Sequence, residues 1–391
     1  MRILFAATKY IKKGEPTTGF PNYLHRVSLS LIQMGHAPII VAAGSKDGYR
    51  LEEGIEIWTV KTEIKFSKIF KGENFAHLQI SYLINRKIKE IMEREPVDIV
   101  QFTSIGGLAL FYCGKTPAVM RLSSYAKTYF SSMQTYDSST LRGKAALERL
   151  SARRCEVVFA PCKITAEAFG KDCKRNVKVI ETPFVNDVEE IDYQFVNYNL
   201  EGKKYVLFFG TLYPEKGILV ITEILRKFLQ RNKDYYFVFV GEVRKIQGKD
   251  VRIIIKRSAG EFSDRIIISK PLQHNMLYPV IERADFVVLP SLMDNFPNAC
   301  IEAMYFSKIV IGTDGASFEQ IIKDGYNGFL CKIGDSEDLL NKMQQTVRLE
   351  SRRRRFMEKN AHESTVRLQP QYTVKKLLSL YEYVIQKSKR V

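Results

Sequence analysis

Short apolar, β-rich runs alternate with helix-patterned segments along almost the whole chain of 391 residues. Before residue 183 these runs are RILFAA, PIIVAA, DIVQFT, AVMRLS, EVVFAP and VKVIET. After residue 203 a second series follows, with YVLFFG, YFVFVG, RIIIS, DFVVLP, IVIGT and GFLCKI. Continuous apolar runs of this length, separated by helices, are typical of parallel strands that are covered on both faces. The sequence therefore predicts an α/β protein with two parallel sheets.

The segment from Pro183 to Lys203 separates the two series, and it is acidic, polar and rich in turn-forming residues. Because the chain is too long for one typical domain, we place a domain junction in this segment. The predicted domains are residues 1–187 and 188–365, and terminal helices are predicted over residues 366–391. No long flexible linker joins the halves, so we expect them to face each other across a cleft.

The chain is strongly basic, with 60 Lys and Arg residues against 43 Asp and Glu residues and a formal net charge of +17. Folding does not need such an excess, which therefore indicates anionic partners. Residues 142–154 are predicted to form a helix with a basic face, and Arg352 to Arg355 add a second basic cluster. Such a face suits an anionic membrane surface, although an ordinary solvated surface explains the same charges.

The N-terminal residues have the wrong order of charge and apolarity for a signal peptide, because the apolar run comes before Lys9, Lys12 and Lys13. No stretch reaches the roughly 18 continuous apolar residues of a membrane span. We therefore expect a cytoplasmic protein, either soluble or peripheral on the inner face of the cell membrane.

The first stretch with chemical potential is FFGTLYPEKG, residues 208–217. A strand ends, a glycine permits a tight turn, and Lys216 arrives just before a helix whose peptide N–H groups favour an anion. Open α/β sheets bind phosphates in this way, at the carboxyl ends of their strands. A solvated lysine in a connecting loop is the alternative.

The second stretch is PSLMDNFPNACIEAM, residues 290–304, which contains two carboxylates, Asp294 and Glu302. A helix is predicted to begin near Asn298, so the N–H groups of Asn298 and Ala299 are free for phosphate oxygens. Each carboxylate can accept two hydroxyls, so the pair suits a ribose and a pyranose joined by a diphosphate. Favourable placement of Glu302 in the helix dipole is the structural alternative. A metal site fits less well, because the chain has no Asp-x-Asp and no histidines at ligand spacing.

Two further stretches have weaker signals. In GTDGASFEQIIKDGYNGFL, residues 312–330, Glu319 is predicted to begin a helix, although a plain strand–helix–strand connection explains most of the pattern. In TTGFPNYLHRVSLSLIQMGH, residues 17–36, Gly19 precedes a predicted amphipathic helix. That helix is predicted to bury Leu24, Val27, Leu31 and Met34.

Taken in this order, the four stretches resemble the GT-B glycosyltransferases of family 4, which are retaining, metal-independent enzymes with two facing Rossmann-like domains. The resemblance covers nearly the whole chain. It is strongest over Asp294 to Met304, and it continues in the Glu319 segment with its DGYNG tail, in Lys216-Gly217 and in Gly35-His36. Tyr381 lies in a family-like closing helix of the kind that packs back towards the first domain.

The resemblance implies roles for individual residues. Lys216, Asp294 and Glu302 form the implied catalytic set: Lys216 neutralises the donor diphosphate, Asp294 contacts the donor sugar and Glu302 holds the ribose. The backbone near Leu272 meets the base, and Ser123 lies on the acceptor side. The implied donor-binding residues are Gly19, Phe20, Gly210, Thr211, Leu272, Asn295, Phe296, Pro297, Asn298, Ala299 and Glu319.

Four positions depart from the pattern of the family. Thr211 stands where an arginine is usual, and Asp294 stands where glutamate is usual. Gly19-Phe20 replaces a glycine pair, and Ser123 takes the place of a catalytic histidine, although a serine is no general base by itself.

The resemblance thus implies a retaining glycosyltransferase that uses a nucleotide-diphosphate sugar as donor and needs no metal. The implied acceptor is a glycan or a lipid-linked glycan, in bacterial surface polysaccharide or glycolipid synthesis. One alternative is a protein that binds a sugar nucleotide without transferring the sugar. The other is a basic nucleic-acid-binding protein, but we find no aromatic residues interleaved with the basic clusters and therefore expect no nucleic acid partner.

Overall fold

The computed structural model describes residues 1–10, 19–62, 73–131, 138–186 and 188–389. The chain forms two compact units, one made of Met1–Val185 with Leu368–Val391 and the other of Asn186–Arg367. The strands are β1 (Arg2–Ala7), β2 (Ala37–Gly44), β3 (Gly48–Glu52), β4 (Ile55–Lys61), β5 (Ile99–Thr103), β6 (Ala118–Arg121), β7 (Val157–Ala160), β8 (Val177–Val179), β9 (Lys204–Phe209), β10 (Tyr235–Val240), β11 (Lys245–Ile246), β12 (Lys249–Asp250), β13 (Ile266–Ser269), β14 (Phe286–Leu289), β15 (Val310–Thr313) and β16 (Phe329–Cys331).

The helices complete the two units. They are α1 (Phe20–Gln33), α2 (Glu73–Arg94), α3 (Ala126–Ser131), α4 (Ser138–Ala152), α5 (Lys163–Cys173), α6 (Gln194–Asn199), α7 (Ile218–Arg231), α8 (Val251–Ala259), α9 (His274–Arg283), α10 (Asn298–Tyr305), α11 (Ser336–Val347), α12 (Ser351–Val366) and α13 (Pro370–Ser388). No helix in these described ranges has the length and hydrophobicity of a membrane span.

The first unit is built on an eight-stranded sheet in the order β3-β4-β2-β1-β5-β6-β7-β8. All neighbouring strands are parallel except β3, which runs antiparallel to β4. Along β1 the side chains alternate, so that Leu4 joins the core on one face and Phe5 the core on the other. Helices α2, α4 and α5 cover the first of these faces, and α1 and α13 cover the second.

All six predicted strands of this unit are present, as β1, β2, β5, β6, β7 and β8. The structure adds β3 and β4, which were not predicted. Their sequence alternates apolar and polar residues instead of forming a continuous apolar run. Accordingly Ile55 and Ile57 are buried, whereas Leu51 on β3 is largely exposed. Such an edge hairpin is buried on one face only, and its period-2 pattern differs from that of the central strands.

Helix α1 has the predicted inward face with one exception. Leu24, Val27 and Leu31 are fully buried in the core of the first unit. The helix ends at Gln33, however, and Met34 is its C-terminal cap and only partly buried.

The second unit has a six-stranded parallel sheet in the order β13-β10-β9-β14-β15-β16. Numbered within this sheet, which excludes the separate β11–β12 hairpin, β9 is the first strand and β14 the fourth, so the order is 3-2-1-4-5-6. That is the order of a doubly wound Rossmann sheet, whose direction of winding reverses between the first and fourth strands. The loops after β9 and β14 therefore lie side by side at the carboxyl edge of the sheet.

The α-helix predicted to begin at Glu319 is absent, and that prediction is wrong. Phe318–Gln320 forms a single 3₁₀ turn, preceded by Ser317 in the left-handed region with φ of 69°. The Asn327 side chain then bonds the backbone of Ile321 and Lys323 and closes the next turn. The chain therefore bends again before a second helical turn can form.

Candidate active site

Lys216 and Asp294 are brought together by the two loops at the reversal point of the second sheet. Lys216 ends a 3₁₀ turn, Pro214–Lys216, between β9 and α7, and Asp294 lies between β14 and α10. The Lys216 Nζ donates to Asp294 Oδ2 at 2.6 Å, and 37% and 17% of the two side chains are exposed. In open α/β sheets, ligands bind at this point, outside the carboxyl ends of the strands. The sequence indicated both residues but not their ion pair.

Gly217 lets these two loops touch. Its φ is 76°, in the left-handed region that only glycine adopts easily. A Cβ at this position would overlap the carbonyl oxygen of Pro290 and lie 2.9 Å from Pro290 Cγ. The backbone N–H of Leu292 also donates to the Glu215 carbonyl oxygen at 2.8 Å. The two loops are thus held together by backbone contact as well as by the ion pair.

Gly210 and Thr211 follow β9 directly, as predicted. Gly210 is exposed, with φ of 127°, and its N–H donates to the Val240 carbonyl oxygen at 2.9 Å. Gly241 packs so closely on Gly210 that a Cβ on it would overlap the Gly210 carbonyl oxygen. Thr211 is partly exposed beside this glycine contact, where it adds no positive charge.

Helix α10 presents its N-terminus at the end of the loop that carries Asp294. It begins at Asn298, as predicted; its N-terminal cap residue, Pro297, makes no capping bond with its side chain, and the first turn contains no acidic residue. Asn298 and Ala299 are both partly exposed. Unpaired N–H groups and the helix dipole make such a terminus attractive to an anion.

The other predicted residues of this loop differ in exposure. Asn295 is partly exposed, whereas Phe296 and Pro297 are buried. Phe296 therefore packs its ring into the unit and can offer a ligand only its backbone. Cys300, one turn further on, is fully buried. Burial raises the pKa of the Cys300 thiol well above its usual value, so the thiol stays protonated and is not a nucleophile.

Glu302 lies on α10 and is only 7% exposed. His274, the first residue of α9, places Nε2 3.9 Å from Glu302 Oε1. The imidazole ring stacks on Tyr278, with ring centroids 5.1 Å apart. Leu272 is partly exposed in the loop that leads to this histidine. His274 was not among the predicted site residues, because it has no sequence motif and its partner is distant in the chain.

Glu319 is exposed on the 3₁₀ turn after β15. The neighbouring Ser317 was missed by the sequence reasoning, although its Oγ donates to the Asp294 carbonyl oxygen at 2.9 Å. This bond connects the turn that carries Glu319 to the loop that carries Asp294. Ser317 has a left-handed backbone conformation, with φ of 69°, which the sequence does not reveal.

Three predicted residues belong to the first unit. Gly19, with φ of 56°, directly precedes α1, and Phe20 is the first residue of that helix. Ser123 follows β6, and its Oγ lies 3.0 Å from Thr103 Oγ1 and accepts a hydrogen bond from Arg121 at 3.2 Å. Ser123 is thus bonded to a hydroxyl and a guanidinium, neither of which accepts a proton as a general base does.

The described residues contain no group of three or more His, Cys, Asp and Glu side chains placed to hold a metal ion. The site of the second unit instead combines an ammonium group, an uncapped helix N-terminus and two carboxylates. Cationic groups of this kind bind phosphate oxygens, and carboxylates accept hydrogen bonds from hydroxyls. The arrangement suits a ligand with both groups, such as a sugar diphosphate.

The chain is similar to known glycosyltransferases. Residues 190–363 match the family model for glycosyl transferases group 1. An uncharacterized glycosyltransferase of Methanocaldococcus jannaschii is 25% identical over 294 residues, which cover 73% of this chain and 77% of that protein. The lipopolysaccharide 1,2-N-acetylglucosaminetransferase of Salmonella typhimurium is 22% identical over 152 residues, 38% of this chain and 40% of that protein.

Among solved structures, a sucrose-phosphate synthase from Thermosynechococcus elongatus has a similar fold. Its TM-score is 0.77 at 14% identity, and the alignment covers 99% of this chain and 100% of that one. This likeness confirms the predicted α/β fold with Rossmann-like units of the GT-B architecture. Residues 190–363 of the second unit thus match the glycosyl transferases group 1 family model, and the whole chain shares the GT-B fold.

Proposed function

We propose that the chain transfers a sugar from a nucleotide-diphosphate sugar to an acceptor, with retention of the anomeric configuration and without a metal ion. The observation that carries the proposal is the Lys216–Asp294 pair, in the same loop system as the uncapped α10 N-terminus. Both lie at the reversal point of a sheet with the order 3-2-1-4-5-6. Retention and membership of family 4 rest on the resemblance of the sequence motifs.

The proposed chemistry depends on charge that builds on the departing diphosphate. As the bond to the anomeric carbon breaks, the sugar gains oxocarbenium character and the phosphate oxygens become more negative. Groups that stabilise this charge more strongly in the transition state than in the ground state accelerate transfer. The Lys216 ammonium group and the first-turn amides of α10 are the groups proposed for this role, and a divalent cation serves it in other transferases.

The ion pair with Asp294 prepares Lys216 for this role. An ammonium group has three N–H donors, so Lys216 can keep its bond to Asp294 and still donate to phosphate oxygens. The other Asp294 oxygen can accept a hydroxyl of the donor sugar. Glu302, which is close to His274, is proposed to accept the ribose hydroxyls. We assign no nucleophile, since that role needs a carboxylate next to the anomeric carbon of the bound sugar.

Nucleoside diphosphates provide the direct test. In a thermal-shift screen of the full chain, we expect the diphosphate with the correct base to raise the melting temperature, since ligand at 100 times its Kd stabilises by about 2.7 kcal/mol. Incubation of the matching sugar nucleotide with a pool of glycan acceptors should then release the free diphosphate. Stabilisation without release would favour the alternative of a binding protein that does not transfer. If no nucleoside diphosphate stabilises the chain, the proposed function is wrong.

We further propose a lipid-linked or glycan acceptor in surface polysaccharide or glycolipid synthesis, at the cytoplasmic face of a membrane. The Salmonella relative acts on lipopolysaccharide by its name, which supports this class of acceptor. Helix α4 and the residues after it also present Arg142, Leu150, Arg153 and Arg154 to solvent. A surface of exposed arginines with an apolar residue fits an anionic bilayer interface.

Liposome sedimentation tests this surface. We expect the full chain to pellet with anionic vesicles but not with neutral ones at low salt, because each Lys or Arg near an anionic surface contributes roughly 1 kcal/mol. Replacing Arg153 and Arg154 by glutamate should lower the bound fraction by at least about tenfold. The matched control is the double change Lys256→Glu with Arg257→Glu on exposed positions of α8, which alters net charge equally. Equal recovery with both kinds of vesicle would end the membrane proposal.

A further inference from the structure

Arg121 is a buried cation at the carboxyl end of β6 in the first unit. Its side chain is 5% exposed. One terminal nitrogen donates to Ser123 Oγ at 3.2 Å, and the other donates to Thr182 Oγ1 at 3.0 Å. The Nε atom is buried and has no hydrogen-bond acceptor among the described residues. Within that part of the chain, the guanidinium therefore donates only to neutral hydroxyls.

Aromatic rings flank the guanidinium but do not neutralise it. Its Cζ lies 3.8 Å from the ring centroid of Tyr23 and 5.7 Å from that of Phe20. The acidic groups that interact with it electrostatically are Tyr23, Cys162 and Tyr381, and none is a carboxylate. Burial lowers the pKa of Arg121, because the charged form loses its hydration. Within the described residues this guanidinium has no carboxylate as counter-charge. A buried charge of this kind is costly, so its presence needs a cause outside packing.

The N-terminus of α1 adds positive potential at the same place. Phe20 and Tyr23, the two rings beside Arg121, belong to the first turn of this helix. Gly19 is the N-terminal cap residue and has no side chain that could cap the helix, and the first turn contains no acidic residue. The helix dipole therefore meets no negative charge from the described side chains of this turn. Thr103 and Ser123 contribute hydroxyls at the adjacent ends of β5 and β6.

Both positive features lie at the carboxyl edge of a parallel sheet, the edge at which open α/β proteins bind ligands. A phosphate group matches them chemically. It supplies the missing negative charge, accepts bonds from a guanidinium in a two-pronged geometry, and accepts further bonds from hydroxyls and helix amides.

We propose that Arg121, with the hydroxyls of Ser123 and Thr182 and the N-terminus of α1, binds a phosphate group carried by a substrate. The proposal deepens the proposed function and rests on it for the identity of the substrate, and the phosphate is one carried by the acceptor. Ser123, predicted to lie on the acceptor side, then orients Arg121 and contributes one hydroxyl to the phosphate.

Inorganic phosphate is the probe, titrated against the full chain at constant ionic strength with chloride as the reference. We expect phosphate to raise the melting temperature of the wild type and of Lys216→Ala by about 2 °C or more. Arg121→Met should lose this increase and keep its ligand-free melting temperature, because the change removes an uncompensated buried charge. The matched control is Arg86→Met, at an exposed arginine of α2, which should behave as the wild type. An absent increase in the wild type, or an unchanged one in Arg121→Met, overturns the proposal.

Ser123→Ala keeps the experiment decisive if Arg121→Met does not fold. Loss of one hydroxyl that faces a charged group should weaken phosphate binding about tenfold. Unchanged affinity in this variant would also overturn the site.

Nucleoside diphosphates test whether the phosphate belongs to the acceptor. The affinity for uridine, guanosine or adenosine diphosphate should be the same in Arg121→Met and the wild type. A loss of tenfold or more contradicts the assignment to the acceptor. If none of the diphosphates binds the wild type, the proposed transferase function fails, while the titration with inorganic phosphate still decides whether Arg121 forms an anion site.

Discussion

We expect the replacement of Lys216 by alanine to lower kcat/KM for transfer from the sugar nucleotide by about 10²- to 10³-fold, the usual effect of removing one group that stabilises transition-state charge. The physical reason is that the variant leaves Asp294 facing the diphosphate without the ammonium group that is bonded to it now. Stabilisation of the departing diphosphate then depends on the α10 N-terminus alone. Initial rates of diphosphate release, measured over a range of donor concentrations, check this expectation.

The control for Lys216 is a second lysine in the same unit. Lys227 lies on α7 and is paired with Glu337, and both side chains are more than half exposed. Lys227→Ala should therefore leave kcat/KM unchanged. A kcat/KM for Lys216→Ala within about threefold of the wild type, a difference of roughly 0.7 kcal/mol, would contradict the phosphate-neutralising role.

Gly217→Ala should lower the free energy of unfolding of the second unit by about 3 kcal/mol or more. A left-handed conformation costs a non-glycine residue roughly 1 to 2 kcal/mol. The added Cβ also overlaps the Pro290 carbonyl oxygen, so the loops after β9 and β14 must move apart. Because Lys216 and Asp294 belong to these two loops, we expect activity to fall as well. Urea denaturation followed by circular dichroism measures the loss of stability.

Gly315→Ala isolates the contribution of the close contact. Gly315 has φ of 84°, similar to that of Gly217, but a Cβ on it would meet no heavy atom within 4 Å. This variant should therefore bear only the conformational cost of roughly 1 to 2 kcal/mol. Equal losses in the two variants would show that contact between the loops contributes little.

The strands were predictable because burial leaves a continuous apolar pattern, as in the runs that became β1 and β9. The hairpin of β3 and β4 was not predictable in this way, since its residues alternate between apolar and polar, as in an edge hairpin that is buried on one face only. Glu319 was placed on a helix because its segment has helix-forming residues, and turns closed by Ser317 and Asn327 overrode that preference.

The candidate site was predictable only as separate residues. Lys216 and Asp294 are 78 positions apart, and their pairing follows from β9 and β14 being neighbours, which depends on the order of strands in the sheet. His274 and Glu302 also lie on separate elements, α9 and α10, and only the fold brings their side chains together. The sequence also could not show that Arg121 is buried without a carboxylate partner among the described residues, because both properties depend on everything packed around the side chain.

The first unit is discontinuous in the chain, and this has a consequence for its biosynthesis. Helix α13 buries Val374, Leu377 and Tyr381 in that unit, and the Tyr381 hydroxyl donates to Gln101 Oε1 at 2.6 Å across 280 positions. A ribosome delivers all of the second unit before it delivers this helix. The half that is translated first is therefore completed last, and until then its sheet leaves an apolar face open to chaperones.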